Sequence, residues 1–394
     1  MSTTTCPACG AGDIRIFHEQ LGVPVNSCLL LDDRETAQAF PRGDLVLGFC
    51  RACGFISNTA FDPVRSEYSS RYEETQGFSP RFRAFSQELA RTWVERHGLQ
   101  GRSVLEIGCG KGEFLVDMVE AGAGSGIGID PSFRADRMDS AAAQRIQFIA
   151  DFYSDAYAHL GADAVVCRHT LEHLPAVADF VALVRRSIGD RTTTVLFELP
   201  DVARVLEEVA FWDVYYEHCS YFSLGSMARL FRAQGFDVTH LDLAFGDQYL
   251  LLDAVAGAAA GTGPPRPLPG EDDMARLEAA VDHFEAEYPR RVAALRDDLR
   301  GAAGSGRRTV IWGAGSKGVS YLTTLALENE IEVAVDINPH KQGMYMAGTG
   351  QRIVGPEFLA EYRPDLVVAM NDIYLDEIRA ELDRVGVAPE LVGA

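Results

Sequence analysis

The segment SVLEIGCGKGEFL, residues 103–115, decides the fold of this 394-residue chain. Its first half is an apolar run typical of a buried strand, and Gly108, Gly110 and Gly112 then form a tight turn before a helix. Glycines at such a turn let a ligand approach the backbone closely, and the start of the helix offers it free N–H groups. Alone, the segment predicts only a nucleoside site, because dinucleotide-binding proteins share the spacing.

Acidic residues near the ends of three strand-like runs narrow this prediction. Glu106 lies inside the strand before the turn, where its carboxylate can sit near the amino-acid end of a methionine-derived cofactor. Asp130 ends the next run, GIGID, and can accept hydrogen bonds from both ribose hydroxyls. A third run ends in Asp151, an acceptor for an adenine amino group, and Phe152, whose ring can pack on the base.

Together, VLEIGCGKGEFL, GIGID and ADF resemble the pattern of class I methyltransferases that use S-adenosylmethionine. The resemblance implies a Rossmann-like α/β domain that binds this cofactor through the residues named above. Arg168, at the end of the fourth predicted strand, is a further candidate for the cofactor site. A nicotinamide-binding Rossmann domain is the alternative.

The patterns along the chain predict four parts. Alternating strand-like and helical patterns over residues 80–255 are typical of βαβ units, and the Gly/Pro-rich run 257–270 predicts a linker before an acidic amphipathic helix. A second strand–glycine-turn–helix unit opens with TVIWGAGSKG at residues 309–318. We therefore predict a zinc-binding module (1–70), a methyltransferase domain (71–256), a linker and helix (257–300), and a second Rossmann-like α/β domain (301–394).

Four of the eight cysteines form two matched C-x-A-C-G motifs, Cys6 with Cys9 and Cys50 with Cys53. In each motif two thiolates can face one tetrahedral ion, and the glycine permits the tight turn beside them. Since all four positions are protein ligands and this part has little apolar core, we predict a structural zinc ion. Two unrelated buried pairs or a redox centre are the alternatives.

The charge balance bears on partners. Lys plus Arg number 36 against 57 Asp plus Glu, a formal net charge of −21 that repels nucleic acid and anionic membranes. No run approaches the ~20 apolar residues of a membrane span, and the N-terminus does not resemble a signal peptide. We predict a cytoplasmic monomer or small homo-oligomer that acts on a small molecule.

Two segments carry candidate catalytic groups. The loop after the fourth strand contains His169, Glu172 and His173; the alternative, preferred for Glu172, is that this loop only supports cofactor binding. Residues 211–223 are dense in aromatic and ionisable side chains, among them Tyr215 and His218. Removal of a proton beside a carbonyl needs a base near neutral pKa and a donor for the enolate, which His and Tyr provide. An aromatic core segment with a structural Glu-His hydrogen bond is the alternative.

Over nearly its whole length, the chain resembles the sugar C-methyltransferases of antibiotic deoxysugar pathways. The two C-x-x-C motifs, VLEIGCGKGEFL, the Y-x-E-H motif at 215–218, GAGSKG and NPHKQGMYMAGT carry the resemblance. It implies a nucleotide-linked 4-keto sugar as substrate, methylated at C3 through an enolate. His218 would be the base, with Glu217 supporting the site, and Tyr215 would assist proton handling or hold the enolate oxygen. Tyr72 and His173 would complete the catalytic residues.

The C-terminal unit is expected to close over the substrate. The helix that follows GAGSKG can hold an anion at its N-terminus. The expected substrate-binding residues are Tyr216, Lys317, His340, Lys341 and Tyr345. A ligand-free duplicated scaffold is the alternative for this domain. For the whole chain, the alternatives are an O- or N-methyltransferase acting on a non-sugar metabolite and a cofactor-binding protein without turnover.

Overall fold

The computed structural model describes residues 5–65, 72–137, 140–256, 266–327 and 329–394. Residues 257–265 of the predicted linker lie outside this range, as does the predicted limit between residues 70 and 71. In the described parts of the chain, no helix combines the length and apolar character needed to cross a membrane.

The N-terminal part is an antiparallel sheet beside the four-cysteine cluster. Its strands and short helix are β1 (Ile14–Pro24), α1 (Arg34–Gln38), β2 (Arg42–Cys50) and β3 (Ile56–Asn58). The pairing of β1 with β2 shifts register twice, between Ile16 and His18 and between Gln20 and Val23. A fourth strand, β9 (Ser220–Tyr221), comes from the middle of the chain and pairs with β3, so the sheet joins two distant segments.

The middle part is a seven-stranded sheet with helices. Its further elements are α2 (Pro80–Arg96), β4 (Ser103–Ile107), α3 (Glu113–Glu120), β5 (Ser125–Ile129), β6 (Ile146–Ile149), β7 (Ala164–Arg168), α4 (Val177–Ile188), β8 (Thr193–Pro200), α5 (Val202–Glu207), α6 (Leu224–Ala233), β10 (Asp237–Ala244) and β11 (Tyr249–Ala256). The strand order is β10-β11-β8-β7-β4-β5-β6, and β11 runs antiparallel to both of its neighbours. This confirms the predicted class I, Rossmann-like architecture.

The C-terminal part begins with a long helix and continues as an all-parallel sheet. Its elements are α7 (Met274–Gly304), β12 (Thr309–Trp312), α8 (Ser316–Leu325), β13 (Ile331–Val335), β14 (Arg352–Val354), α9 (Leu359–Tyr362), β15 (Leu366–Ala369), α10 (Leu375–Val385) and β16 (Glu390–Gly393). The strand order is β14-β13-β12-β15-β16. The mixed sheet of the middle part and the parallel sheet of the C-terminal part therefore each have a glycine turn after their first strand in the sequence.

One apolar core connects the three parts. Phe49 on β2, Phe211 before β9, Phe284 on α7 and Tyr321 on α8 are all buried in the same cluster. Burying a side chain of this size contributes ~1.5–3 kcal/mol, so each contact between the parts favours a fixed arrangement. The carboxyl ends of β4, β5 and β7 consequently face those of β12, β13 and β15 across one cavity. Ligands of open α/β sheets bind at such strand ends.

Candidate active site

The cavity has a volume of about 900 Å³ and is lined from the middle and C-terminal sheets. The middle sheet contributes the glycine turn, Asp130 and the loop after β7. The C-terminal sheet contributes the second glycine turn and Asp336. The space is large enough for a nucleoside cofactor and a small-molecule substrate together.

The first glycine turn has the backbone that its sequence predicts. Gly108, Gly110 and Gly112 have φ angles of 72°, 53° and 86°, which favour glycine. A Cβ at Gly108 would collide with the Thr170 side chain. Gly108 and Gly110 line the cavity, and Gly112 is the N-cap of α3 between the wall residues Lys111 and Glu113, so its contact with the cofactor stays a prediction.

Asp130 is fixed at the end of β5 by backbone donors. Its two carboxylate oxygens accept hydrogen bonds from the N–H of Gly110 at 2.9 Å and of Ser132 at 2.6 Å. A carboxylate has lone pairs for further donors, so this arrangement orients the group while leaving acceptor capacity for ribose hydroxyls.

The surroundings of Glu106 indicate whether the cavity wall fits the amino-acid end of S-adenosylmethionine. Its carboxylate lines the cavity, is almost fully buried, and its Oε2 lacks a hydrogen-bond partner within the described residues. Burial raises the pKa of Glu106 to about 8. A buried carboxylate without a donor is costly, and the ammonium of a methionyl group would supply that donor. The residues therefore fit this cofactor.

Arg168 lies at the same wall. Its guanidinium stacks over the Phe114 ring at 3.9 Å and donates to Glu198 at 2.5 Å. Glu198 pairs with Arg168 in the parallel register of β7 and β8, so the rule that strand ends meet at one edge could have found it. Asp151 and Phe152 line the outer part of the cavity, where Phe152 is 59% exposed and Asp151 accepts a hydrogen bond from Tyr157 at 2.5 Å.

The histidines and the tyrosine predicted to be catalytic meet in the middle of the cavity wall. The Tyr215 hydroxyl lies 3.1 Å from His218 Nε2, and the rings of His173 and His218 pack edge to face with centroids 4.7 Å apart. His173 Nδ1 donates to the Glu217 carbonyl at 3.0 Å, which fixes the tautomer of His173.

Burial determines the charge of this group. It lowers the pKa of His218 well below the ordinary value, and electrostatic interactions with His173, His169 and Lys317 lower it further. Burial also raises the pKa of the Tyr215 hydroxyl well above its usual range. At neutral pH the pair is therefore a neutral imidazole beside a neutral phenol, which together offer a proton acceptor and a proton donor.

Of the two remaining residues predicted to be catalytic, Glu217 is buried outside the cavity wall, whereas Tyr72 lines the cavity. The Glu217 carboxylate is fully buried and accepts hydrogen bonds from the N–H of Ser27, at 2.8 Å, and from its hydroxyl. It lies outside the cavity wall, so the expected support of the site by Glu217 stays a prediction. Tyr72 does line the cavity, and its carbonyl accepts a hydrogen bond from Lys111 Nζ at 2.9 Å.

Two of the five predicted substrate-binding residues line the cavity. Lys317 pairs with Asp213 at 2.9 Å, and Lys341 pairs with Asp336 at 3.4 Å. Lys317 is also the second residue of α8, whose N-terminus opens on the cavity. The first N–H groups of a helix favour an anion there.

The other three predicted substrate contacts are wrong. The Tyr216 ring packs on Phe61, and its hydroxyl accepts a hydrogen bond from the Asp62 N–H at 2.8 Å. His340 is exposed, and Tyr345 extends a short ladder in which its N–H donates to the Leu31 carbonyl. Each lies outside the cavity wall.

Several wall residues were not predicted from the sequence. The cavity also includes Glu74, Lys111, Gln248 and Cys28. Lys111 is buried, and its ammonium lies 3.5 Å from the carboxylate of Glu74, which belongs to the loop that follows Tyr72. Lys111 lies inside the glycine turn, which was a usable signal, whereas Glu74 and Cys28 come from loops without a recognisable pattern.

The four cysteines of the N-terminal part also meet. Their sulfur atoms all lie within 4.8 Å of one another, and the Cys6–Cys53 and Cys9–Cys50 sulfur pairs are each 3.7 Å apart. Zinc–thiolate bonds of ~2.3 Å in a tetrahedron require sulfur atoms ~3.8 Å apart, so the set fits a zinc ion. In both knuckles a glycine N–H donates to the carbonyl of the first cysteine at 2.8 Å.

Comparisons with known proteins agree with this geometry. Residues 78–241 match the family model of a methyltransferase domain, and residues 271–388 match that of a C-methyltransferase C-terminal domain. The C-methyltransferase NovU of Streptomyces niveus is 28% identical over 296 residues, which cover 72% of this chain and 70% of that protein.

Two solved methyltransferase structures show a similar fold at low sequence identity. One from Aquifex aeolicus is 15% identical, with a TM-score of 0.36 over 50% of this chain and 98% of that chain. Magnesium protoporphyrin IX methyltransferase of Synechocystis, solved with S-adenosylhomocysteine, is 18% identical, with a TM-score of 0.34 over 44% and 85% of the two chains.

The fold and the two matched domains together define an S-adenosylmethionine-dependent methyltransferase. More narrowly, it is a C-methyltransferase similar to NovU.

Proposed function

We propose that this enzyme methylates a carbon beside the ketone of a nucleotide-linked keto-deoxysugar, through an enolate formed at His218 and Tyr215, in secondary-metabolite biosynthesis. The observation that carries the proposal is the neutral His218 imidazole 3.1 Å from the Tyr215 hydroxyl on the cavity wall. Carbon methylation needs a carbon nucleophile, and an enolate is the usual way to obtain one beside a ketone.

The chain's own groups divide the work. His218 takes the α-proton of the substrate, and the Tyr215 hydroxyl donates a hydrogen bond to the enolate oxygen. A donor placed where negative charge develops stabilises the transition state. When bound, S-adenosylmethionine supplies an electrophilic methyl group. Glu106 would hold its ammonium and Asp130 its ribose, with Asp151 and Phe152 at the adenine.

The substrate's phosphates fit the other half of the cavity. The N-terminus of α8 and the ammonium of Lys317 lie there, opposite the cofactor turn. A phosphate would compete with Asp213 for Lys317 and gain the helix N–H groups. Lys341 belongs to the same region.

The proposal includes a structural zinc ion at Cys6, Cys9, Cys50 and Cys53, supported by the spacing of the sulfur atoms. It also includes the division into parts at residues 1–70, 71–256, 257–300 and 301–394. The shared core crosses these limits, so the parts are structural units within one packed molecule.

Solvent exchange tests the enolate. Purified enzyme is incubated with nucleotide-linked 4-keto-deoxysugars in D₂O without methyl donor, and loss of the α-proton is followed by NMR. We expect exchange in the wild type, its loss by a factor of ~10²–10⁴ in His218→Ala, and a smaller loss in Tyr215→Phe. Methyl transfer to an O or N acceptor without exchange on any keto-sugar would refute the proposal.

A further inference from the structure

The base at His218 needs a negative charge nearby, because it becomes an imidazolium when it takes a proton. The neighbouring residue in the sequence, Glu217, directs its carboxylate to Ser27. Glu172, in the loop after β7, is different. A carboxylate oxygen of Glu172 and one ring nitrogen each of His173 and His218 lie within 4.8 Å of one another.

Glu172 is also electrostatically unusual. It is 2% exposed, lines the cavity, and both of its carboxylate oxygens lack a hydrogen-bond partner within the described residues. Glu172 forms an ion pair with His169, whose Nδ1 lies 3.5 Å from Oε1. Although burial opposes it, contact with Glu172 and Glu198 raises the pKa of His169 to about 9. Burying a carboxylate without hydrogen-bond donors costs free energy. A positive charge that forms beside it during the reaction offsets part of this cost.

The hydrogen bonds of the two neighbouring histidines distinguish their roles. His173 Nδ1 already donates to the Glu217 carbonyl, so the fixed tautomer of His173 makes its other nitrogen an acceptor. His218 Nε2 shares a hydrogen bond with the Tyr215 hydroxyl, and His218 is the base of the proposed function.

We propose that Glu172 is the positioning carboxylate of the active site, whose negative charge stabilises the His218 imidazolium during proton abstraction. The inference rests on the proposed function. The substrate C–H bond breaks, its electron pair stays on the substrate as the enolate, and the proton forms an N–H bond on His218. After the carbon has been methylated, the proton leaves to solvent through the cavity. No proton is transferred to Glu172 in this step, and Glu172 acts through space or through one bridging water.

The size of the effect follows from the separation. Two unit charges at most 4.8 Å apart, in surroundings with an effective dielectric constant of ~20, change an equilibrium by a factor of the order of 10². Loss of the charge should therefore reduce kcat by about 100-fold and leave the binding of substrate and cofactor nearly unchanged.

The test compares variants of the full-length enzyme, each with one carboxylate neutralised or shortened. The variants are Glu172→Gln, Glu172→Asp, Glu217→Gln, and Glu381→Gln as a control at the cavity rim, where Glu381 pairs with Arg384. For each, α-proton exchange of the keto-sugar in D₂O, kcat and KM for methylation, and the Kd of S-adenosylhomocysteine are measured.

We expect Glu172→Gln to lose about 100-fold in exchange and in kcat, with KM and Kd within about 3-fold of the wild type. Glu172→Asp should recover part of the loss because it restores the charge, and Glu217→Gln should lose less than Glu172→Gln.

Four outcomes would overturn the inference. The first is an equal rate of α-proton exchange in the wild type and in Glu172→Gln, which would be sufficient by itself. Loss of S-adenosylhomocysteine binding in parallel with kcat would assign Glu172 to cofactor support. A second divalent metal ion per chain, absent from Glu172→Gln by metal analysis, would make the cluster a metal site. No exchange in the wild type with any keto-sugar would overturn the proposed function and this inference with it.

Discussion

Glu106 gives the sharpest expectation for cofactor binding, because its ionisation must change when the cofactor arrives. In the free protein, burial raises the pKa of its carboxyl to about 8. At pH 7 only about one molecule in ten then carries the carboxylate. The ammonium of S-adenosylmethionine binds the ionised form, so binding at pH 7 should release nearly one proton.

The pH dependence follows with a definite sign. The ionised fraction of a group with pKa 8 rises from about 1% at pH 6 to about 24% at pH 7.5. Because only the carboxylate is binding-competent, the affinity should rise about 25-fold over this range, which is ~1.9 kcal/mol, and level off above pH 8. In Glu106→Gln, the slope should vanish, and the affinity at pH 7.5 and above should be lower by a factor of about 10 or more, as for a lost charge-assisted hydrogen bond.

Calorimetric titration with S-adenosylhomocysteine measures this, since it has the same amino-acid end and does not react. The titration at pH 7 is repeated in two buffers of different ionisation enthalpy, which gives the number of protons released. A Kd independent of pH in the wild type, an equal slope in Glu106→Gln, or no proton release would refute the assignment of Glu106 to the ammonium.

Two further predictions concern stability. Cys53→Ser should abolish stoichiometric zinc by metal analysis and lower the Tm by several degrees, whereas Cys219→Ser should retain the metal; unchanged zinc in Cys53→Ser would contradict the site. The pKa of Glu198 is held at about 2 by Arg168 and His169 despite burial, so its stabilisation is complete above the ordinary value of 4.5 and is lost as pH falls toward 2. Denaturant unfolding should show about 3 kcal/mol lost over that range, and a similar loss in Glu198→Gln would contradict this account.

The parts of the site that could be predicted from the sequence are those that depend on local backbone pattern. The glycine turn, Glu106 and Asp130 are fixed by a strand and the turn after it, so their places follow from strand ends meeting at one edge of a sheet. Arg168 and Glu198 obey the same rule. The Cys6-to-Cys53 set is predictable because each knuckle carries its own geometry within five residues.

The predicted site residues that lie away from the cavity are in irregular backbone, where the sequence pattern does not show which way a side chain points. Residues 214–219 lie between a 3-10 turn and β9, with no period that says which side chains face the cavity. There Tyr215 and His218 point inward, while Tyr216 and Glu217 pack against the N-terminal sheet. His340 and Tyr345 failed for the same reason. Adjacency in sequence suggested Glu217 as the partner of His218, whereas adjacency in space favours Glu172.

The N-terminal sheet connects the four-cysteine cluster to the active site. Among the described residues, no thiol of this cluster lines the cavity itself. Cys53 is followed within three residues by β3, and β3 pairs with β9, which begins two residues after His218. The Asn58 N–H donates to the Cys219 carbonyl at 2.9 Å, and Ser27 holds Glu217. The segment that carries Tyr215 and His218 is therefore tied on its outer side to a sheet that has the four-cysteine cluster at its end. The cofactor turn depends instead on β4 and β5, so loss of the metal should disturb proton abstraction before it disturbs cofactor binding.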